Sequence, residues 1–254
     1  MSKIKEAFKD KKAFIPFVTC GDGGLENTIE IVKEAVKNGA DIVELGIPFS
    51  DPTAEGPVIQ EANIRALKTG VTTDKIFDMV IELRKEVSVP LVFMTYANVV
   101  YSYGIDKFMK RSAEVGMNGL ILPDVPFEEK EEFAPTARKY GIDFISLIAP
   151  TSHERIAMIA KEAEGFIYIV SSLGVTGVRS EINTDIASMV KLIRDNTDIP
   201  CAVGFGISTP EQAAKMRSLS DGVIVGSAIM KLVAKYGTDA PKYVGDYVRT
   251  MVEQ

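Results

Sequence analysis

Residues 38–60, NGADIVELGIPFSDPTAEGPVIQ, hold the pattern from which the fold of this chain is read. A helical stretch ends near Gly39, and a short apolar run, Asp41 to Leu45, begins directly after it. Glycine suits the residue that follows a helix, because it tolerates the left-handed backbone there. The same unit recurs at VGMNGLIL (115–122), YGIDFISL (140–147), EGFIYIV (164–170) and SDGVIVG (220–226). These runs do not alternate in polarity, as expected of strands covered on both faces. VPLVFMTY (89–96) and IPCAVGFG (199–206) are entered through proline instead, and AFIPFVT (13–19) supplies the first run. That makes eight strands. Helical patterns lie between them at 25–37, 60–68 with 73–86, 105–114, 127–139, 153–162, 184–195 and 210–217, with a last one at 239–252.

Strand–helix alternation implies parallel strands with right-handed crossovers. Eight such units in 254 residues match an α/β fold of one domain, a single (β/α)8 TIM barrel spanning 1–254. A doubly wound open sheet is the main alternative, but no GxGxxG follows the first strand and no linker divides the chain. Ile4 and Phe8 fall on one face of the N-terminal segment, which predicts an extra amphipathic helix rather than a signal core.

Composition narrows the function classes. No apolar run reaches about 18 residues, so no membrane span is expected and a cytoplasmic location is the default. The net charge of −6, with basic residues scattered, argues against a nucleic-acid surface. Cys20 and Cys201 fit neither a CxxC pair nor a metal-ligand cluster, so buried reduced thiols and no metal are expected. The single histidine, His153, sits in TSHERI, which reads as a helix start, and a histidine-dependent triad is nearly excluded.

In such a barrel the chemistry sits at the C-terminal ends of the strands. Glu44 stands near the end of the second apolar run, and an ionisable group on an apolar strand is costly unless satisfied or used. Three prolines (Pro48, Pro52, Pro57) stiffen the following loop, which carries Asp51 and Glu55. Two acids in differing environments suit proton transfer, though an ordinary charged surface loop fits these residues equally well. Three glycine turns come late: LGVTGVR (173–179), GFGIS (204–208) and VGSAI (225–229). Loops after the last two strands, with a short extra helix, commonly bind phosphate in this fold. GSAIMKLV reads as that helix, with Ser227 in its first turn. Phe17, Met94, Tyr96, Ile121, Ile148 and Phe205 form an apolar rim that can line a pocket for a flat ring, although packing explains each alone.

With FIPFVTCGD (14–22), GADIVELGIPFSDPTAEGPVIQ (39–60), YAN (96–98), DVPFEE (124–129), GVTG (174–177), GFGIS and GSAI in this order, the chain resembles the tryptophan synthase alpha-subunit family from about residue 4 to its end. The resemblance implies retro-aldol cleavage of indole-3-glycerol phosphate to indole and glyceraldehyde 3-phosphate. It also implies an α2β2 complex in which the beta subunit carries pyridoxal phosphate, with no cofactor in this chain. By position Glu44 stands as the catalytic proton carrier, and Glu55 as the acid at the indole N–H. Tyr168 and Thr176 join Phe17, Tyr96, Ile121, Ile148 and Phe205 as substrate contacts, and Gly177, Gly206, Gly226 and Ser227 form the phosphate cradle. The loop at 51–60 and the segment Asn98–Tyr103 would meet the beta subunit. The family usually reads ADGP where this chain has Ala54-Glu55-Gly56-Pro57, so its second acid is one methylene longer. A weakly active subunit that mainly activates its partner is therefore the alternative, and Glu55→Asp is expected to leave turnover unchanged or raise it. GDGG (21–24) for the usual GDPG, and Ser172 for a common basic residue, are smaller departures.

Overall fold

A computed structural model describes residues 2–170, 185–204 and 206–253. Among the described residues nine strands, β1 (Ala13–Thr19), β2 (Val43–Gly46), β3 (Leu91–Met94), β4 (Gly119–Ile121), β5 (Asp143–Phe144), β6 (Ser146–Ile148), β7 (Ile167–Val170), β8 (Cys201–Gly204) and β9 (Gly222–Val225), form one sheet. Its order is β5-β4-β3-β2-β1-β9-β8-β7-β6, and every neighbouring pair is parallel. The two ends of that order are separated in the chain by Ile145 alone, whose N–H still bonds the Leu120 carbonyl at 2.9 Å. The eight expected strands are thus present, with the fifth interrupted, and the sheet closes into the expected barrel.

The glycines that end helices behave as read. Gly39, Gly116, Gly141 and Gly165 all have positive φ. Gly222 does not. It opens β9, and a Cβ there would lie 2.8 Å from the Ala13 carbonyl oxygen and 3.0 Å from Phe8 Cε1. Close approach, rather than a helix end, accounts for it.

Two helical expectations change. The segment read as one helix over 127–139 is a 3-10 turn, Phe127–Glu132, followed by an α-helix, Ala134–Lys139. Pro135 has no N–H and its ring excludes the carbonyl four residues earlier, so a helix cannot run through it. The segment after β3 forms a further helix, Ala97–Tyr103, whose first N–H is accepted by the Asp124 carboxylate at 3.0 and 3.1 Å. Asp124, at the end of the fourth strand unit, is thus a cap joining two loops.

The N-terminal helix, Lys3–Glu6, buries Ile4 completely. Ile4 packs against Gly119 and Phe8 against Gly222, the first residues of β4 and β9. These side chains close the barrel at the N-terminal ends of its strands and leave the opposite end for a site. Both cysteines are buried and free, and His153 is the exposed first residue of the helix His153–Lys161, capped by Ser152. Among the described residues no helix is long and apolar enough to cross a membrane.

Candidate active site

A cavity opens at the C-terminal end of the strands, where this fold carries its chemistry. Phe17, Glu44, Glu55, Ile59, Met94, Tyr168, Gly206, Ile207, Ile224, Gly226 and Ser227 line it. Register explains the first pairing. Phe17 on β1 stands beside Glu44 on β2, and directly paired residues of parallel strands share a face. Glu44 is the second residue of β2, inside the strand and two residues before its end.

Glu44 is fully buried, and among the described residues neither carboxyl oxygen has a hydrogen-bond partner. Loss of solvent raises its pKa to about 8. It is therefore a neutral acid at neutral pH, able both to give and to take a proton. Burial, with Glu44 nearby, pushes the Tyr168 phenol well above its ordinary value. The Tyr168 ring lies flat over β8: a Cβ at Gly204 would sit 2.5 Å from both its Cε1 and its Oη. Gly204→Ala is expected to force that ring away and to lower folding stability by about 1–3 kcal/mol, read from the urea midpoint. Gly46 plays the same part under Phe17, whose Cζ would be 2.5 Å from an added Cβ.

The second acid arrives from the loop. Of the acids at 51–55, Asp51 is exposed and bonded to Ser50, whereas Glu55 is 6% exposed and reaches the cavity. Burial raises its carboxyl to about 7, while the amide of Asn63, donating at 2.6 Å to Oε2, pulls the other way. The loop is pinned on both sides. Ala54 N donates to the Tyr96 hydroxyl at 3.1 Å, and Gln60 Nε2 donates to the Glu55 carbonyl at 2.8 Å. Gly56 and Pro57 then start the helix Pro57–Lys68, with proline at the one position where its missing N–H is harmless.

At the other end of the cavity Gly226 and Ser227 open the helix Ser227–Tyr236. The leading N–H groups of a helix have no partner within it and attract anions. Gly206, with φ of +79°, turns the chain beside them.

Of the residues expected in the site, Phe17, Glu44, Glu55, Met94, Tyr168, Gly206, Gly226 and Ser227 are gathered around one cavity. Tyr96, Ile121 and Ile148 are not among its lining residues. Tyr96 braces the Glu55 loop and packs its ring on Phe49, 5.2 Å between centroids, while Ile121 and Ile148 are fully buried in the barrel wall. Thr176, Gly177 and Phe205, like Ser172, lie outside the described residues. Ile59, Ile207, Ile224 and the Glu55 partner Asn63 were not legible as site residues. Asn63 had a signal: the buried stripe of its helix is Ile59, Ala62, Asn63 and Ala66, and a polar residue on an apolar stripe asks for a partner.

A family model described as tryptophan synthase alpha chain matches residues 2–252. The tryptophan synthase alpha chain of Lacticaseibacillus casei is 51% identical over 98% of this chain and 94% of its own length. That of Lactiplantibacillus plantarum is 48% identical over 99% and 95%. Among solved structures, the tryptophan synthase alpha chain of Legionella pneumophila superposes with a TM-score of 0.89 at 34% identity, covering 100% of this chain and 97% of that one. A chain of the Pyrococcus furiosus tryptophan synthase complex superposes with a TM-score of 0.88 at 33% identity, over 96% and 99%.

Proposed function

The chain belongs to the tryptophan synthase alpha chain family, an aldolase-type lyase of tryptophan biosynthesis, and from that premise we propose that it cleaves indole-3-glycerol phosphate to indole and glyceraldehyde 3-phosphate. The observation that carries this reading is Glu44, a fully buried carboxyl without a partner among the described residues, on the wall of the cavity. Held neutral by burial, it delivers its proton to indole C3. The ring becomes iminium-like and accepts the electron pair of the C3–glycerol bond as that bond breaks. The hydroxyl on the adjacent glycerol carbon gives its proton back to Glu44 and becomes the aldehyde, so the acid ends as it began. Positive charge develops at the ring nitrogen, where the Glu55 carboxylate stabilises it. The substrate phosphate rests on the leading N–H groups at Ser227, and the ring lies between Phe17, Met94, Ile224 and Tyr168. The ring itself serves as electron sink, so this step calls for no cofactor in this chain.

The solved relatives include a tryptophan synthase complex, which supports a beta-subunit partner for this chain. We propose an α2β2 assembly with pyridoxal phosphate in the beta subunit. The loop at 51–60 and the helix Ala97–Tyr103, with Tyr101 62% exposed, form the face that meets it.

The pH profile of indole release tests the reaction. With Glu55 required ionised and Glu44 required protonated, kcat/KM rises as pH passes about 7 and falls as it passes about 8. Glu55→Gln removes the acidic flank and leaves the alkaline one. A wild-type profile flat between pH 6 and 9 overturns these roles. Turnover near zero with and without the beta subunit, while the beta-subunit rate still rises, instead identifies an activator with little chemistry of its own.

A further inference from the structure

We propose that Asn63 is a positioning residue, matched in length to Glu55, that binds one oxygen of this acid and so leaves the other for the substrate ring nitrogen. The proposal rests on the reaction given above. Asn63 is 4% exposed on the helix Pro57–Lys68, and its Nδ2 lies 2.6 Å from Glu55 Oε2. Both ends of this contact are immobilised. The Glu55 backbone is held by Gln60, and its neighbour Ala54 by Tyr96. The helix bearing Asn63 is held by Arg65, whose Nε and Nη2 donate to the two oxygens of Asp22 at 2.8 and 2.7 Å. Asp22 belongs to the loop after β1 and is 2% exposed, so this fork ties two strand units together.

With both backbones fixed, the side chains must span the gap between them. Removing one methylene withdraws the carboxylate by roughly 1.5 Å, which takes a 2.6 Å contact beyond hydrogen-bond range. The expectation drawn from the motif, that Glu55→Asp is harmless, therefore reverses. Here glutamate is the acid that reaches Asn63, and an amide donor favours the ionised form that the reaction needs.

The experiment uses the full chain. The Glu55 carboxyl is titrated by carbon-13 NMR in wild type and in Asn63→Leu, and pH profiles of indole release are recorded for both. Asn63→Leu is expected to raise the Glu55 midpoint by about one pH unit or more, carrying the acidic flank of kcat/KM with it while the alkaline flank stays. Glu55→Asp alone is expected to lower kcat more than tenfold with little change in KM. The swap Glu55→Asp with Asn63→Gln, which keeps the summed length, is expected to recover most of that loss. An unmoved midpoint in folded Asn63→Leu, or a swap that recovers nothing, overturns the role of Asn63. The titration needs no substrate, so absent wild-type turnover counts against the proposed reaction alone.

Discussion

Glu44→Gln is expected to lower the rate of indole release by about 10²–10⁴-fold or more, with substrate affinity nearly unchanged. Glutamine has almost the same shape, so Phe17, Tyr168 and the Ser227 end of the cavity keep their positions. What disappears is the proton. In the proposed reaction indole C3 gains one and the glycerol hydroxyl loses one, and an amide can neither give nor take it at neutral pH. The other acid on the cavity wall, Glu55, is bound to Asn63 and acts as a carboxylate in the proposed reaction. The measurement is single-turnover indole release beside equilibrium binding of a substrate analogue. Retained turnover would sink the assignment of Glu44, and lost binding would show that the residue shapes the cavity instead.

The same substitution is expected to stabilise the fold, and the gain grows with pH. In the unfolded chain Glu44 has an ordinary carboxyl that releases its proton near pH 4.5, whereas the folded chain holds the proton to about pH 8. Well below pH 4.5 both states are protonated, and the acid carries no penalty. Between pH 4.5 and 8 the unfolded state binds fewer protons than the folded one, so wild-type stability falls by roughly 1.4 kcal/mol per pH unit. Above pH 8 the loss is complete and levels off. Glutamine does not titrate, so Glu44→Gln gains nothing well below pH 4.5 and several kcal/mol above pH 8. The buried amide is no worse placed than the buried acid, because the acid has no hydrogen-bond partner among the described residues either. Urea unfolding of both proteins at pH 5, 7 and 8.5 checks this, and a difference independent of pH would refute the burial argument. In the proposed reaction this destabilising acid is the proton carrier, which accounts for its presence in the site.

The two expectations share one physical source. A carboxyl in a closed, apolar barrel mouth is held neutral, and neutrality makes it both a proton donor and a liability.

Much of this was legible in the chain. Glycine followed by an unbroken apolar run marked the strands, because a helix end and a strand covered on both faces are local events with local residue preferences. Glu44 stood out for the same reason, as a charge where burial was predicted. The split fifth strand, the helix Ala97–Tyr103 and the break before Pro135 were missed or blurred. Each is a short element whose form depends on the loops beside it, as Asp124 capping Ala97 shows. The Tyr96 hydroxyl accepts from Ala54 N, 42 residues away in the chain, a contact that no local pattern announces.

By itself the sequence determined that this is an α/β barrel with Glu44 on its second strand, Glu55 in the next loop and a glycine-lined helix start at Ser227. Those are matters of periodicity, turn chemistry and motif order, set within a few residues of each position. Only the tertiary structure decided that Glu44 lacks a partner among the described residues, that Glu55 is tied to Asn63, and that Tyr168 lies flat on Gly204. Desolvation and hydrogen-bond partners come from elements brought together when the barrel closes, and no local pattern carries that information.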